Sequence, residues 1–413
     1  MIVIIGAGIS GLTVANGLPA GRECIVLEKE NHSGGLSTQY LSGGYWFDFS
    51  GHYFHFQGNP GIQAYLEKFC RFNEYRRKSK TFLLGRYIPF PVQFHLSYLP
   101  VSLKNKILHE ILESGHAHAA NLRDFLEAHF GETLLRLFFK PFLTRYYNTE
   151  LEGLAVDMDR GSIPVPDKVQ VLAGFKGKTF SKAGYNPVIY YPETSLRDFI
   201  ENYSAAVRDR IRLNEEVVEI DCDKQVARTL HCSYHYDILV TSMPLNRLLG
   251  IIKPPGRFPS HRQLKHVSTL LVNVILKRKR KRFHWVYLAE EKFPFYRVGL
   301  YAGYPYPAGY LERNVLPGSP PGIDKEKLRR DAAFTLKKLR VIESIDEIVY
   351  LDARIIPVSY VIFDKNWGKV VPPLLDELKK YNIYSIGRYG TWNYSNMSND
   401  ISCALGVPGG VLK

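Results

Sequence analysis

The sequence predicts a discontinuous α/β fold with an inserted helical domain and an antiparallel sheet, on three observations. Residues 1–28 run through a short apolar stretch, a glycine-rich turn, a helix-compatible segment and a second apolar stretch, the order of two parallel strands and their crossover. From about residue 97 to 154 the apolar residues recur at helical spacing. Residues 270–298 then return to strand-length apolar runs separated by turns. A chain of 413 residues is too long for one ordinary domain and implies two or three.

The opening segment carries the most chemistry. The apolar run Ile2, Val3, Ile4, Ile5 leads directly into Gly6-Ala7-Gly8-Ile9-Ser10-Gly11, and a second strand over 24–27 ends on Glu28. This is the full dinucleotide-binding fingerprint of a Rossmann-like domain. Gly6 permits the tight turn, Gly8 lets the backbone approach a pyrophosphate, and Gly11 lets helix and strand pack closely. The helix N-terminus faces the phosphate charge, and Glu28 can accept a hydrogen bond from an adenosine ribose hydroxyl. Ser33-Gly34-Gly35 follows, where a nicotinamide-binding unit would normally enter another helix. A second glycine pair suits a longer, extended cofactor whose ribityl chain passes close to the backbone. FAD is therefore expected rather than NAD, with Gly34 and Gly35 among its ligands; the alternative is an ordinary glycine turn.

In the helical region Leu122, Phe125, Leu126 and Phe130 share one face until Gly131, and the same spacing resumes from Thr133 to Phe139 before Pro141. Strands are expected over 213–222 and 236–240, and Val217, in the first of these, is included among the cofactor-binding residues. Thr241-Ser242-Met243-Pro244 ends the second strand. A last short strand precedes the glycine-rich turn within 384–397. The expected cofactor-binding domain is thus built from 1–90, 185–245 and 351–413. A helical insert occupies 91–184, and an antiparallel, substrate-side sheet 246–350.

Composition bounds the rest. No apolar run approaches the roughly 18–20 residues needed to span a bilayer, and the first strand begins at once, which leaves no room for a signal peptide. Five scattered cysteines without a CxxC pair fit reduced thiols in a cytoplasmic protein and argue against a metal site. The formal charge of +14 calls for anionic company. Its sharpest source is the run Lys277, Arg278, Lys279, Arg280, Lys281, Arg282. This run reads as a solvated loop that blunts a sheet edge or as peripheral contact with an anionic membrane. Helix-turn-helix, zinc-finger and RNP patterns are absent, so nucleic acid is not an expected partner.

Three further motifs carry a family resemblance. Gly51-His52-Tyr53-Phe54-His55 resembles the Gly/Pro-His-x-Phe-His segment of the UDP-galactopyranose mutases, and Ile88-Pro89-Phe90-Pro91-Val92 resembles their Pro-Phe-Pro-like turn. Gly387-Arg388-Tyr389-Gly390-Thr391-Trp392-Asn393-Tyr394-Ser395-Asn396-Met397 resembles their Gly-Arg-x-Gly-Thr-aromatic-x-Tyr-x-Asp-Met block. The FAD family concerned also includes amine oxidases and protoporphyrinogen oxidase.

The resemblance implies that His52 lies beside the flavin, where an imidazole can tune the reduced state, and that His55 is structural. It implies that Arg388 stabilises an anionic flavin or a diphosphate, that Tyr394 hydrogen-bonds the nucleotide-sugar diphosphate, and that Gly387, Asn396 and Met397 contact the cofactor. The implied activity is a flavin-dependent isomerase. Reduced FAD, through its N5, forms a covalent adduct with the sugar and interconverts pyranose and furanose forms of a UDP-sugar for polysaccharide biosynthesis.

The chain also departs from that pattern. Asn396 replaces Asp. The run Ile163-Pro164-Val165-Pro166 has proline where a diphosphate-clamping arginine is expected, with Arg160, Lys168, Lys176 and Lys178 as possible compensations. Glu193-Thr194-Ser195 replaces a Gly-Gly pair. Arg297, in Phe295-Tyr296-Arg297-Val298, is a second substrate-binding candidate or a structural salt bridge, and Arg354 is a looser third. The alternative activity is an FAD-dependent oxidase or dehydrogenase of the amine-oxidase or protoporphyrinogen-oxidase type. A third reading is a scaffold without catalysis, held on membranes through residues 277–282.

Overall fold

The computed structural model describes every residue except 20, 116–118, 157, 159–162, 181–183, 185, 259–262, 279–282, 319–322 and 412–413. The chain divides into two compact units. The first comprises Met1–Tyr75, Ile189–Lys265 and Asn366–Lys413; the second comprises Arg76–Val188 and His266–Lys365.

The first unit is built from three pieces, and its borders differ from those drawn from the sequence. Residues 76–90 leave it, because strands Ser79–Leu83 and Arg86–Pro89 pair into the large sheet of the other unit. Residues 351–365 leave it for the same reason, since Ile348–Val361 is one continuous strand of that sheet. Residues 246–265 join it, and the helical insert and the antiparallel sheet, expected as separate domains, form one unit.

In the first unit, five parallel strands lie in the order Ile383–Ser385, Ile238–Thr241, Ile2–Ile5, Cys24–Leu27, Ile211–Arg212. The central strand is apolar at every position and wholly buried, as a parallel strand covered on both faces must be. Ile2 stands opposite both Ile238 and Cys24 in the register. The helix Ile9–Gly17 follows, buried from Ile9 to Ala15, and Gly17 lies against Pro408 of the last helix, Met397–Val411. A four-stranded sheet orders Ser233–His235, Val226–Thr229, Val217–Asp221 and Ile252–Lys253.

In the second unit a seven-stranded sheet, antiparallel except where Trp285–Leu288 pairs with Ser79–Leu83, orders Ile348–Val361, His266–Leu276, Ala308–Val315, Arg297–Leu300, Trp285–Leu288, Ser79–Leu83 and Arg86–Pro89. Val272, Val274, Val298 and Leu311 of its strands share one apolar core with Leu328, Ala332 and Leu336 of the helix Lys325–Lys338. Gly131 breaks the helical region as its sequence implies. Its φ of 78° interrupts Leu122–Leu134, and a Cβ there would meet Glu110 at 2.4 Å. The Glu110 carboxylate then receives the Thr133 N–H (2.8 Å) and hydroxyl (2.6 Å), capping the resumed helix. Pro141 does not end the helical region; the π-helical turn Leu135–Phe139 runs without a break into Lys140–Tyr147, and that wider turn before it makes room for the proline ring.

Among the described residues, no helix is long and apolar enough to cross a membrane, and no cluster of three His, Cys, Asp or Glu side chains could hold a metal.

Candidate dinucleotide site

The site grows from the end of the first strand. Gly6 takes φ +96°, a left-handed conformation that favours glycine, and a Cβ there would meet Ser242 Oγ at 2.5 Å. Ser242 closes this approach from the neighbouring strand end, donating its N–H to Ile5 O at 3.0 Å. Gly11 is fixed by close approach: its Cβ would stand 2.0 Å from the Gly6 carbonyl. Gly8 differs from both. It is the N-cap of Ile9–Gly17, provides no side-chain cap, and a Cβ there would meet nothing within 4 Å. The amides of this helix start thus face open space, the condition for receiving an anionic group.

Gly34 and Gly35 cross this turn. The Gly34 N–H donates to Ala7 O at 2.8 Å, Gly8 and Gly34 form a bridge, and a Cβ on Gly35 would stand 3.4 Å from Gly8 Cα. Glu28 is 5% exposed and accepts from the Ala7 N–H (2.7 Å, Oε2) and the Glu30 N–H (2.9 Å, Oε1). Burial pushes its carboxyl above the usual range, and the two backbone donors oppose the shift. Each oxygen retains acceptor capacity, so a ribose hydroxyl can still donate to it. The chain after Ile211–Arg212 runs beside Glu28, since the Glu215 N–H donates to Glu28 O at 2.8 Å. Val217 lies two residues further on, 2% exposed and paired with Thr229.

The C-terminal block comes to the same place. Gly387 takes φ +72°, and a Cβ there would meet Ser10 Oγ of the fingerprint helix at 2.6 Å. Arg388 follows in the short helix Gly387–Gly390. Its guanidinium donates to Ser395 O at 2.9 Å and lies 4.4 Å from the Tyr394 ring centroid and 5.7 Å from that of Tyr389. Asn396 Oδ1 accepts the Asn399 N–H at 3.0 Å, which makes Asn396 the cap of Met397–Val411. Asparagine therefore performs the capping part of the role of the expected aspartate without its charge. Met397, in the first turn, is 7% exposed.

His52 enters through a strained turn. Ser50 takes φ +81°, and the His52 N–H donates to its carbonyl at 3.1 Å. Two residues earlier, wholly buried Asp48 receives Gln39 Nε2 (2.8 Å) and the Tyr191 hydroxyl (3.1 Å to each oxygen). The His55 N–H donates to Ser398 Oγ at 3.3 Å, tying the histidine segment to the start of the last helix. The structure thus brings Gly6, Gly8, Gly11, Glu28, Gly34, Gly35 and Gly387 together, and joins the segment of His52 to that of Asn396 and Met397.

Arg297 belongs to the other unit. Its guanidinium donates to Glu312 Oε1 at 2.7 Å and to the Tyr360 hydroxyl at 3.1 Å, and Glu312 is 1% exposed. Of the two readings of Arg297, the structure shows the salt bridge: the fork meets a buried carboxylate on the adjacent strand. Arg354 pairs with Asp352 at 3.3 Å. Pro164 O accepts from Gln93 Nε2 at 2.7 Å, which anchors the proline run. Lys168 donates to Leu112 O (2.7 Å) and Ser114 O (3.1 Å), so its charge closes a helix C-terminus. Arg160 and residues 279–282 of the basic run lie outside the described residues. Ser195, in place of the expected glycine pair, caps Leu196–Ala205 through the Asp198 N–H.

Sequence reasoning missed the Asp48 network and Asp400. The latter accepts the Ser395 hydroxyl at 2.6 Å, and burial raises its carboxyl above the usual range against the opposing pull of Ser395 and Arg388. Its position one helical turn after Asn396 was the available signal.

A family model described as an NAD(P)-binding Rossmann-like domain matches residues 4–69. The structure is similar to that of reduced UDP-galactopyranose mutase, at 21% identity and a TM-score of 0.91, over 100% of this chain and 93% of that chain. It is also similar to a protein titled as a protoporphyrinogen oxidase from an Exiguobacterium species, at 16% identity and TM-score 0.73, over 99% and 98% of the two chains. Cyclohexylamine oxidase from Brevibacterium oxydans follows at 13% identity and TM-score 0.66, over 99% and 98%. The chain has the mutase-like fold that these flavoenzyme structures share.

Proposed function

We propose that this chain, on that fold, is an FAD-dependent isomerase that interconverts pyranose and furanose forms of a UDP-sugar. The observation that carries the reading is the Arg388–Tyr394 pair, with the guanidinium 4.4 Å from the ring centroid, in a turn set against the fingerprint helix by Gly387. A permanent cation and a phenol held side by side form a donor set suited to a second diphosphate, beyond the one the fingerprint would take.

The residues present fit FAD. The Gly8 cradle is open, Glu28 retains acceptor capacity for a ribose, and Gly34 and Gly35 present bare backbone along the turn. Reduced FAD, when bound, supplies a nucleophilic ring nitrogen for the anomeric carbon. The protein's part is positional and electrostatic. The amides after Gly8 hold the pyrophosphate, Glu28 orients the ribose, and His52 tunes the ring electronics. Arg388 stabilises the charge that develops on the departing diphosphate, and the Tyr394 hydroxyl donates to the diphosphate of the bound substrate and transition state alike. No residue need act as general base, in keeping with a site whose described side chains include no compact triad.

The test is anaerobic incubation of the dithionite-reduced protein with a panel of nucleotide sugars, read by chromatography. Ring-isomer conversion without net flavin oxidation supports the reading. Bleaching of the oxidised flavin by an amine or porphyrin-like compound, with no nucleotide sugar converted, replaces it with an oxidase. Pro166 in place of a clamping arginine is the observation that favours that rival.

A further inference from the structure

Asn396 caps the last helix without carrying a charge, and the same helix brings a carboxylate, Asp400, to the Arg388 turn. Asp400 lies one turn beyond Asn396 and donates its own N–H to Asn396 O at 3.0 Å. Its side chain accepts the Ser395 hydroxyl at 2.6 Å, while the carbonyl of that same Ser395 accepts from the Arg388 guanidinium at 2.9 Å. The Arg388 peptide N–H and the Arg388 charge both act on the Asp400 carboxylate. Asp400, Ser395 and Arg388 therefore close a loop in which the carboxylate grips both ends of the turn that carries Arg388 and Tyr394.

We propose that Asp400 is the positioning carboxylate of this site, holding the Arg388 turn through Ser395 and setting the net charge that a bound flavin meets. The inference rests on the FAD reading above and needs nothing of the sugar chemistry. Ionisation of Asp400 adds one negative charge beside the Arg388 turn, so the neutral form favours the reduced, anionic flavin more than the ionised form does. His52 faces the same flavin in wild type and variants alike, so the comparison between them isolates Asp400. The helix Ile9–Gly17 packed against this one has no ionisable side chain, and Pro60–Leu66 carries only Tyr65. His55 reaches the helix through its backbone, and Tyr389 and Tyr394 complete the surroundings of Arg388. Burial raises the Asp400 carboxyl above the usual range, against the opposing pull of Ser395 and Arg388.

The experiment is spectroelectrochemical titration of the holoprotein without substrate, as a function of pH, for wild type, Asp400→Asn and Ser395→Ala. Wild type and Asp400→Asn are expected to share one midpoint potential at low pH and to diverge as pH rises, the variant being the more positive. Ser395→Ala removes a donor to the ionised form and should move the divergence to higher pH. Parallel wild-type and Asp400→Asn profiles overturn the proposal while leaving the cofactor assignment intact. If Asp400→Asn does not retain flavin, an unmoved Ser395→Ala profile overturns it equally. Wild-type protein that takes up no FAD overturns both.

Discussion

At the scale of single residues, three glycines of one motif have different physical reasons to be there, and substitution separates them. Gly11→Ala drives a methyl into the Gly6 carbonyl and should destabilise the protein by about 1–3 kcal/mol in chemical denaturation. The Cβ of Gly8→Val meets no atom within 4 Å, so its apoprotein should unfold within about 0.5 kcal/mol of wild type yet be colourless, because the branched side chain fills the phosphate approach. A Gly8→Val protein that retains full FAD would remove the cofactor assignment. Tyr394→Phe keeps the ring under Arg388 and loses the hydroxyl. Its KM for a nucleotide sugar should rise by the equivalent of a charged-partner hydrogen bond, about 1.5–3 kcal/mol, with kcat little changed. Glu28 gives a pH signature. Because its folded-state carboxyl is raised, the native state keeps the proton longer than the unfolded chain. Apoprotein stability should therefore fall as pH rises from about 4.3 through the raised value, and Glu28→Gln should lack that decline in thermal melts. The fingerprint was legible from sequence because its glycines answer to local sterics. The engagement of Arg297 was not, because its partner Glu312 arrives from a neighbouring strand that spacing along the chain does not reveal.

At the scale of elements, the sequence read most clearly where one residue type enforces a break. Gly131 was expected to stop a helix and does, by adopting a φ that a side chain resists beside a neighbour too close to admit one. Gly131→Ala should cost about 1–3 kcal/mol by denaturant titration, more than the removal of an exposed charge on the same helix. Asn396→Ala should cost about 1 kcal/mol through loss of the cap on Met397–Val411. Pro141 stands inside a continuous helical stretch, where the π-helical turn Leu135–Phe139 before it accommodates a ring that an ordinary interior turn excludes. Domain borders were the least legible feature. Whether residues 76–90 and 351–365 follow the parallel sheet or the seven-stranded one is decided by pairing with distant strands, Ser79 with Trp285 and Val361 with His266, which composition does not encode.

At the scale of the whole molecule, the +14 charge remains larger than the proposed nucleotide site alone requires. Lys277 and Arg278, the described part of the basic run, are exposed. We propose that the run at 277–282 lends the protein affinity for anionic surfaces. Vesicle binding should fall as salt rises, the screening length being about 10 Å at 0.1 M, and should weaken when the run is neutralised, with flavin content unchanged. Salt-insensitive binding would point to apolar insertion instead. All five cysteines are free thiols.

The parallel sheet of the first unit takes its outer strand Ile383–Ser385 and its Arg388 turn from the far end of the chain, while the fingerprint lies at the beginning. During translation at about 5–20 residues per second, the ribosome needs about 15–60 s to pass from the first segment of that unit to its last. For that interval the exposed edge of the growing sheet lacks its final strand, and Ser10 lacks Gly387 against it. Tight retention of a cofactor then becomes a report on synthesis through that strand: a chain that stops short of it carries the whole fingerprint without the Arg388 turn. Nascent chains arrested before residue 366 should thus be open to chaperones and proteases, and emergence of the segment that carries Gly387 should be the event that commits the protein to its ligand.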